Sequence, residues 1–206
     1  TGATQIPASE FLRITYPSYD VLKMIEAVGP DQGRPVVLKG ERGQGKSHLM
    51  AILFHAISDN KTTKEWLDRW AGILGNDSLP SIPLRTGMHV ISESLHRQRY
   101  RFLWDLIFEN HPNGEHCKGK WEALGEKKTD VPSDVILLEL FKHTSTTIIL
   151  DEFQTWFDGL TDTNEHPWRS RAFNFIQVLS EIAKEHPDIL VLVISVRNGN
   201  TDAFQQ

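Results

Sequence analysis

Residues 40–47 read Gly-Glu-Arg-Gly-Gln-Gly-Lys-Ser, the pattern G-x-x-x-x-G-K-S. This stretch constrains the fold more than any other. It follows the apolar run Val36-Val37-Leu38 and precedes His48–Ile57, which contains neither Gly nor Pro. Strand, glycine turn and helix in that order form an anion cradle. Glycines at Gly40, Gly43 and Gly45 let the backbone N–H groups wrap a polyphosphate that side chains would hold off. A helix starting near Lys46 aims its positive end at the same point. Lys46 reaches toward the terminal phosphates, and the Ser47 hydroxyl suits Mg²⁺. Glu41, Arg42, Gln44 and His48 complete the expected nucleotide-binding positions. For Arg42, contact with phosphate or a neighbouring subunit and a plain loop-surface position both stay open.

The remaining composition sets bounds. A chain of 206 residues with 39% hydrophobic and 24% charged residues suits one large domain with a real core. A formal net charge of -5 gives no global footprint for nucleic acid, although a local basic patch remains compatible with it. A single cysteine, Cys117, excludes an internal disulfide framework and suits a reducing cytoplasm. No apolar stretch is long enough to cross a bilayer, and no signal peptide precedes Glu10.

In chain order, residues 1–17 read as an extended lead-in ending at Pro17. A helix over Ser18–Val28, capped by Ser18, comes next. Val36–Lys39 is the first buried strand. Thr62–Ala71 is helical, with Trp66 and Trp70 expected on the core rather than on a base. Gly87–Ser92 is a strand and Gln98–Glu109 a helix. Residues 110–130 read as a loop or small insertion, and 60–85 as another embellishment. Pro132–His143 is a helix, Thr146–Leu150 a β-branched strand, Arg169–His186 a long helix and Ile189–Ile194 a fourth strand. Near-continuous apolar strands separated by helices predict an α/β three-layer sandwich: a mainly parallel sheet with helices on both faces.

Hydrolysis at such a cradle needs a carboxylate for the metal and a second for the attacking water. Asp151 and Glu152 follow directly on the third strand and supply both, Asp151 for Mg²⁺ and Glu152 as base. Ligands in parallel sheets sit at the carboxyl ends of the strands. Ser195, Asn198 and Arg197, at the end of the fourth strand, are therefore candidates to contact the water or the terminal phosphate. Ser92-Glu93, ending the second strand, are candidates to restrain Glu152. His111, His116 and Cys117 lack the ligand number and spacing of a zinc site. Lys118, Lys120, Lys127 and Lys128 are diluted by Glu122, Glu126 and Asp130 and read as a solvated loop.

Gly40–Ser47, Ile148–Glu152 and Ile189–Asn198 resemble the Walker A, Walker B and sensor-1 regions of P-loop NTPases with an added strand, most like the AAA+ and STAND ATPases. Phe11–Tyr16 and Leu150–Phe153 are also similar to large bacterial ATPases of BREX-type phage-defence systems. The resemblance implies ATP and Mg²⁺ as ligands, and a sheet whose second and third motif strands flank the phosphate-loop strand. It implies an ATPase core, residues 18–206, that ends after the sensor-1 strand without a lid, sensor 2 or arginine finger. Such a core would work with other domains and subunits of a larger machine, in phage defence or DNA transactions, and an isolated core can be inactive without the neighbour that completes it. Two alternatives stand beside this: a nucleotide-gated switch or scaffold with negligible hydrolysis, and a small-molecule kinase. A GTPase is disfavoured, because Asn198–Asp202 does not match N-K-x-D.

Overall fold

The computed structural model describes residues 2–40, 43, 45–96, 100 and 102–197. Its elements, in chain order, are α1 (Ala8–Arg13), α2 (Tyr19–Ala27), β1 (Val36–Lys39), α3 (Lys46–Ser58), α4 (Asn60–Leu74), β2 (His89–Ser94), α5 (Leu103–Asn110), α6 (Gly114–Ala123), α7 (Asp134–His143), β3 (Thr146–Asp151), α8 (Phe153–Asp158), α9 (Trp168–Glu185) and β4 (Leu190–Val196). The four strands form one sheet in the order β1-β4-β3-β2, and every pairing is parallel. The resemblance led to the expectation that β3 and β4 would flank β1. Instead β4 alone lies beside β1, and β3 lies beyond it.

Alternation along the strands separates two helical layers. Val191 and Val193 of β4 and Ile149 of β3 pack with Met24 of α2 and Met50, Leu53 and Ile57 of α3. Leu190, Leu192 and Ile194 face the other way, onto α5, α7, α8 and α9. Both sides of the sheet are covered, so its central strands carry apolar residues at successive positions. No helix among the described residues is long and apolar enough to cross a membrane.

Two segments depart from the sequence expectation. The lead-in is not extended. It contains a 3₁₀ turn at Ala3–Gln5 and the helix α1, whose Phe11 and Leu12 are buried with residues of α3 and α4. The Thr15 hydroxyl closes that helix on the Phe11 carbonyl at 2.8 Å. Residues 110–130 contain α6, which buries Cys117 and Trp121 one turn apart. Gly114 starts that helix because a Cβ there would meet the Phe108 carbonyl oxygen at 1.7 Å. The helix expected over Thr62–Ala71 is present as α4, capped by Asp59 accepting from Thr62 N–H at 3.0 Å. Its Trp66 and Leu67 belong to the core, and Trp66 Nε1 donates to the Thr15 carbonyl at 3.0 Å.

The lysines of the expected solvated loop are partly spoken for. Lys118 and Lys128 flank the buried Asp105 at 3.7 and 3.3 Å, and Lys120 pairs with Glu139 at 2.6 Å. Arg85 is 6% exposed and ties separate loops together by donating to the carbonyls of Val28, Gln32 and Pro187.

Candidate active site

The strand register brings the functional residues to one edge. Lys39 of β1 lies beside Val196 of β4, Leu150 of β3 beside Ile194, and Ser94 of β2 beside Asp151. The carboxyl ends of all four strands therefore open on the same side, where parallel sheets bind ligands. A cleft of about 290 Å³ lies there. Its walls include Gly43, Gly45, Lys46 and Ser47 from the glycine turn and α3, and Asp151, Glu152 and Ser195 from the ends of β3 and β4. Gln154, Thr155 and Arg197 complete the far side.

The glycine turn is built as its sequence requires. Gly43 and Gly45 have φ of 83° and 81°, the left-handed region that disfavours side chains. Gly45 occupies the N-cap of α3 and brings no side-chain cap, so the first amides of α3 keep their capacity for an anion. Lys46 Nζ donates to the Gly40 carbonyl across the turn. Ser47 is exposed on the cleft wall. His48 is not among the lining residues, and its ring packs 5.5 Å from that of Phe11. Glu41, Arg42, Gln44 and Asn198 lie outside the described residues.

The acidic pair sits on an unusual piece of backbone. Glu152 has φ 56° and ψ 33°, the only left-handed non-glycine conformation among the described residues. Such conformations cost of order 1–3 kcal/mol and persist where surrounding bonds hold them. Here the Glu152 N–H donates to both Asp151 Oδ1 and Ser195 Oγ at 2.8 Å. Ser195 Oγ in turn donates to Asp151 Oδ1 at 2.9 Å. Both donors fall on Oδ1, so Oδ2 is the oxygen that a cation or its water would meet.

Sequence reasoning missed Gln154 and Thr155 on the cleft wall and His96 beside Glu152. His96 Nδ1 pairs with Glu152 Oε2, a contact of the kind considered for Ser92-Glu93, and lies 3.0 Å from the Ser94 hydroxyl. Lone histidines after a strand carry no motif, and only the register of β2 against β3 places this one. Arg197 was foreseen at the strand end; it donates to the Thr155 hydroxyl at 3.0 Å, a partner supplied by the unforeseen α8. Thus the structure brings Lys46, Ser47, Asp151, Glu152 and Ser195 together and leaves His48 aside. His111 serves the scaffold: its ring nitrogens meet the Thr144 carbonyl and the Asn113 N–H.

No protein-family model matches the chain, and no curated protein matches it.

Proposed function

We propose that this chain is an ATPase core that binds Mg²⁺–ATP and hydrolyses it, of the P-loop type with an added strand. The observation that carries this reading is the shared cleft: a glycine turn with Lys46 and Ser47 on one wall, and Asp151 and Glu152 on the other. The insertion of β4 between β1 and β3 supports the added-strand assignment.

The residues fit the ligands. No described group of three or more His, Cys, Asp or Glu side chains is built to hold a metal. Mg²⁺ does not need one, because it keeps waters and takes one or two protein oxygens together with phosphates. Ser47 and Asp151 Oδ2 would hold it, and it would supply charge neutralisation of the phosphate oxygens. The amides of the turn and of the first residues of α3 hold the phosphates. Lys46 exchanges its bond to Gly40 for a phosphate oxygen and neutralises charge there. Glu152 takes a proton from the attacking water. Turnover then drives a larger assembly, with phage defence or DNA transactions as the candidate settings.

Phosphate release by the full-length protein tests the assignment. Lys46→Ala is expected to lose nucleotide binding. Glu152→Gln is expected to bind ATP and to turn over about 10²–10⁴-fold more slowly, the usual contribution of a positioned base. Wild-type turnover by Glu152→Gln would remove Glu152 from that role. Absence of Mg²⁺-dependent turnover in the wild type, with and without DNA, would overturn the hydrolase reading.

A further inference from the structure

We propose that Ser195 is a positioning residue, locking the Asp151–Glu152 junction so that the two carboxylates keep separate tasks. The inference rests on the ATPase reading above and assigns Ser195 a role different from contact with phosphate or water.

The strand itself makes Ser195 conspicuous. It is the one polar residue within Leu190–Val196, and it is 2% exposed between the buried Ile194 and Val196. A buried hydroxyl must find partners, and here both lie on the neighbouring strand end. A serine hydroxyl has a single hydrogen. That hydrogen goes to Asp151 Oδ1, so it is not available to a phosphate oxygen while this bond stands. Ser195 Oγ in turn accepts the Glu152 N–H. Three groups thus form a closed ring of hydrogen bonds: Asp151 Oδ1, Glu152 N–H and Ser195 Oγ.

The ring has two effects. It fixes the rotation of the Asp151 carboxylate, which sets Oδ2 toward the cation position. It also pins the N–H of a residue in the left-handed region, which sets the direction in which the Glu152 side chain leaves the backbone. Without the hydroxyl, Asp151 has one bond fewer to define its rotamer, and Glu152 has lost one of two acceptors that hold its strained backbone. A loss confined to orientation lowers turnover and cation affinity while leaving uniform ATP binding in place.

The test compares Ser195→Thr with Ser195→Val. These side chains have the same shape and add the same methyl group, so crowding is common to both and the hydroxyl alone differs. Three measurements are made on each: kcat and KM for ATP, the Mg²⁺ concentration that half-saturates binding of a fluorescent ATP analogue, and the thermal midpoint. We expect Ser195→Val to lose about ten- to a hundredfold in kcat relative to Ser195→Thr, the range set by one hydrogen bond to a charged group. Its Mg²⁺ midpoint should rise several-fold, with KM for ATP matching that of the threonine variant, and its thermal midpoint should fall modestly with the lost buried hydrogen bonds. Equal kcat and equal Mg²⁺ midpoints for the two variants overturn the inference. A defect in KM alone also overturns it and returns Ser195 to direct phosphate contact. A thermal defect alone reduces Ser195 to a scaffold role. These outcomes are distinct from failure of the ATPase reading, which shows as absent Mg²⁺-dependent turnover in the wild type.

Discussion

His96 Nδ1 pairs with the carboxylate of Glu152, and it does so from the turn immediately after β2. The proposed base is thus held from the side of the cleft opposite the glycine turn. A carboxylate oxygen bonded to His96 must give up that bond before it can take a proton from the attacking water. His96→Ala is therefore expected to raise basal ATP turnover by about two- to fivefold, with KM for ATP unchanged, the size of a partly exposed pair. The double variant with Glu152→Gln should match Glu152→Gln alone, since coupled residues do not add. A fall in the rate of His96→Ala would reverse the role and make His96 an aligning group.

Glu152 also stores backbone strain. Glycine accepts φ of 56° without the Cβ penalty that any other residue carries. Both Glu152→Gly and Glu152→Ala lose the carboxylate and its contact with His96, so the contrast between them isolates the backbone. Glu152→Gly should be the more stable by about 1 kcal/mol in urea unfolding, while both lack turnover. Equal stability would show that the left-handed conformation is relaxed in the variants.

The wall with the glycine turn was legible because its chemistry is local. Gly43, Gly45, Lys46 and Ser47 lie within five residues, and strand and helix signals flank them. Asp151 and Glu152 were legible because they terminate an apolar run. The other parts needed the third dimension. Ser195 was identified at the strand end, but its bonds to Asp151 Oδ1 and the Glu152 N–H were not, since nothing in Ile194-Ser195-Val196 announces them. His96 depends on the pairing of β2 with β3, and strand order is not encoded in any one strand. Helices α1, α6 and α8 were missed for another reason. Each is short, and α1 and α6 bury only a few side chains against other elements, so the periodicity is faint.

Arg85 is a second test of what lies outside any motif. Its guanidinium donates to Val28 at 2.6 Å, to Gln32 at 2.9 Å, and to Pro187. Burial lowers its pKa from the ordinary arginine value, with Asp188 and Asp31 opposing that, and it stays charged because the ordinary value is so high. Arg85→Lys keeps the charge but loses the planar fork that serves three carbonyls. It should destabilise the fold by about 2–4 kcal/mol, as loss of buried charge-assisted hydrogen bonds does. Affinity for Mg²⁺–ATP in the folded protein should not change, because none of these carbonyls lines the cleft. An unchanged thermal midpoint would show that the loops hold without the clip.

The stability of this protein should fall on mild acidification through His111. Burial lowers its pKa from 6.5 to about 4, and the neighbouring His89 and His143 push in the same direction. Asn113 N–H donates to Nδ1 at 3.0 Å, so the proton of the neutral ring sits on Nε2 and points to the Thr144 carbonyl. Protonating Nδ1 would break that acceptance inside a site that is 6% exposed. The sign follows from linkage. Below about pH 6.5 the unfolded chain binds a proton that the native state refuses, so stability declines as pH falls and levels off near pH 4. The slope is at most about 1.4 kcal/mol per pH unit, with a total on the order of 3 kcal/mol. Urea unfolding of the wild type and of His111→Gln at pH 7.5, 6 and 5 separates this contribution from other titrating groups. The difference in stability between them should shrink as pH falls, because glutamine has no proton to gain. A difference that stays constant with pH would mean that His111 titrates alike in both states.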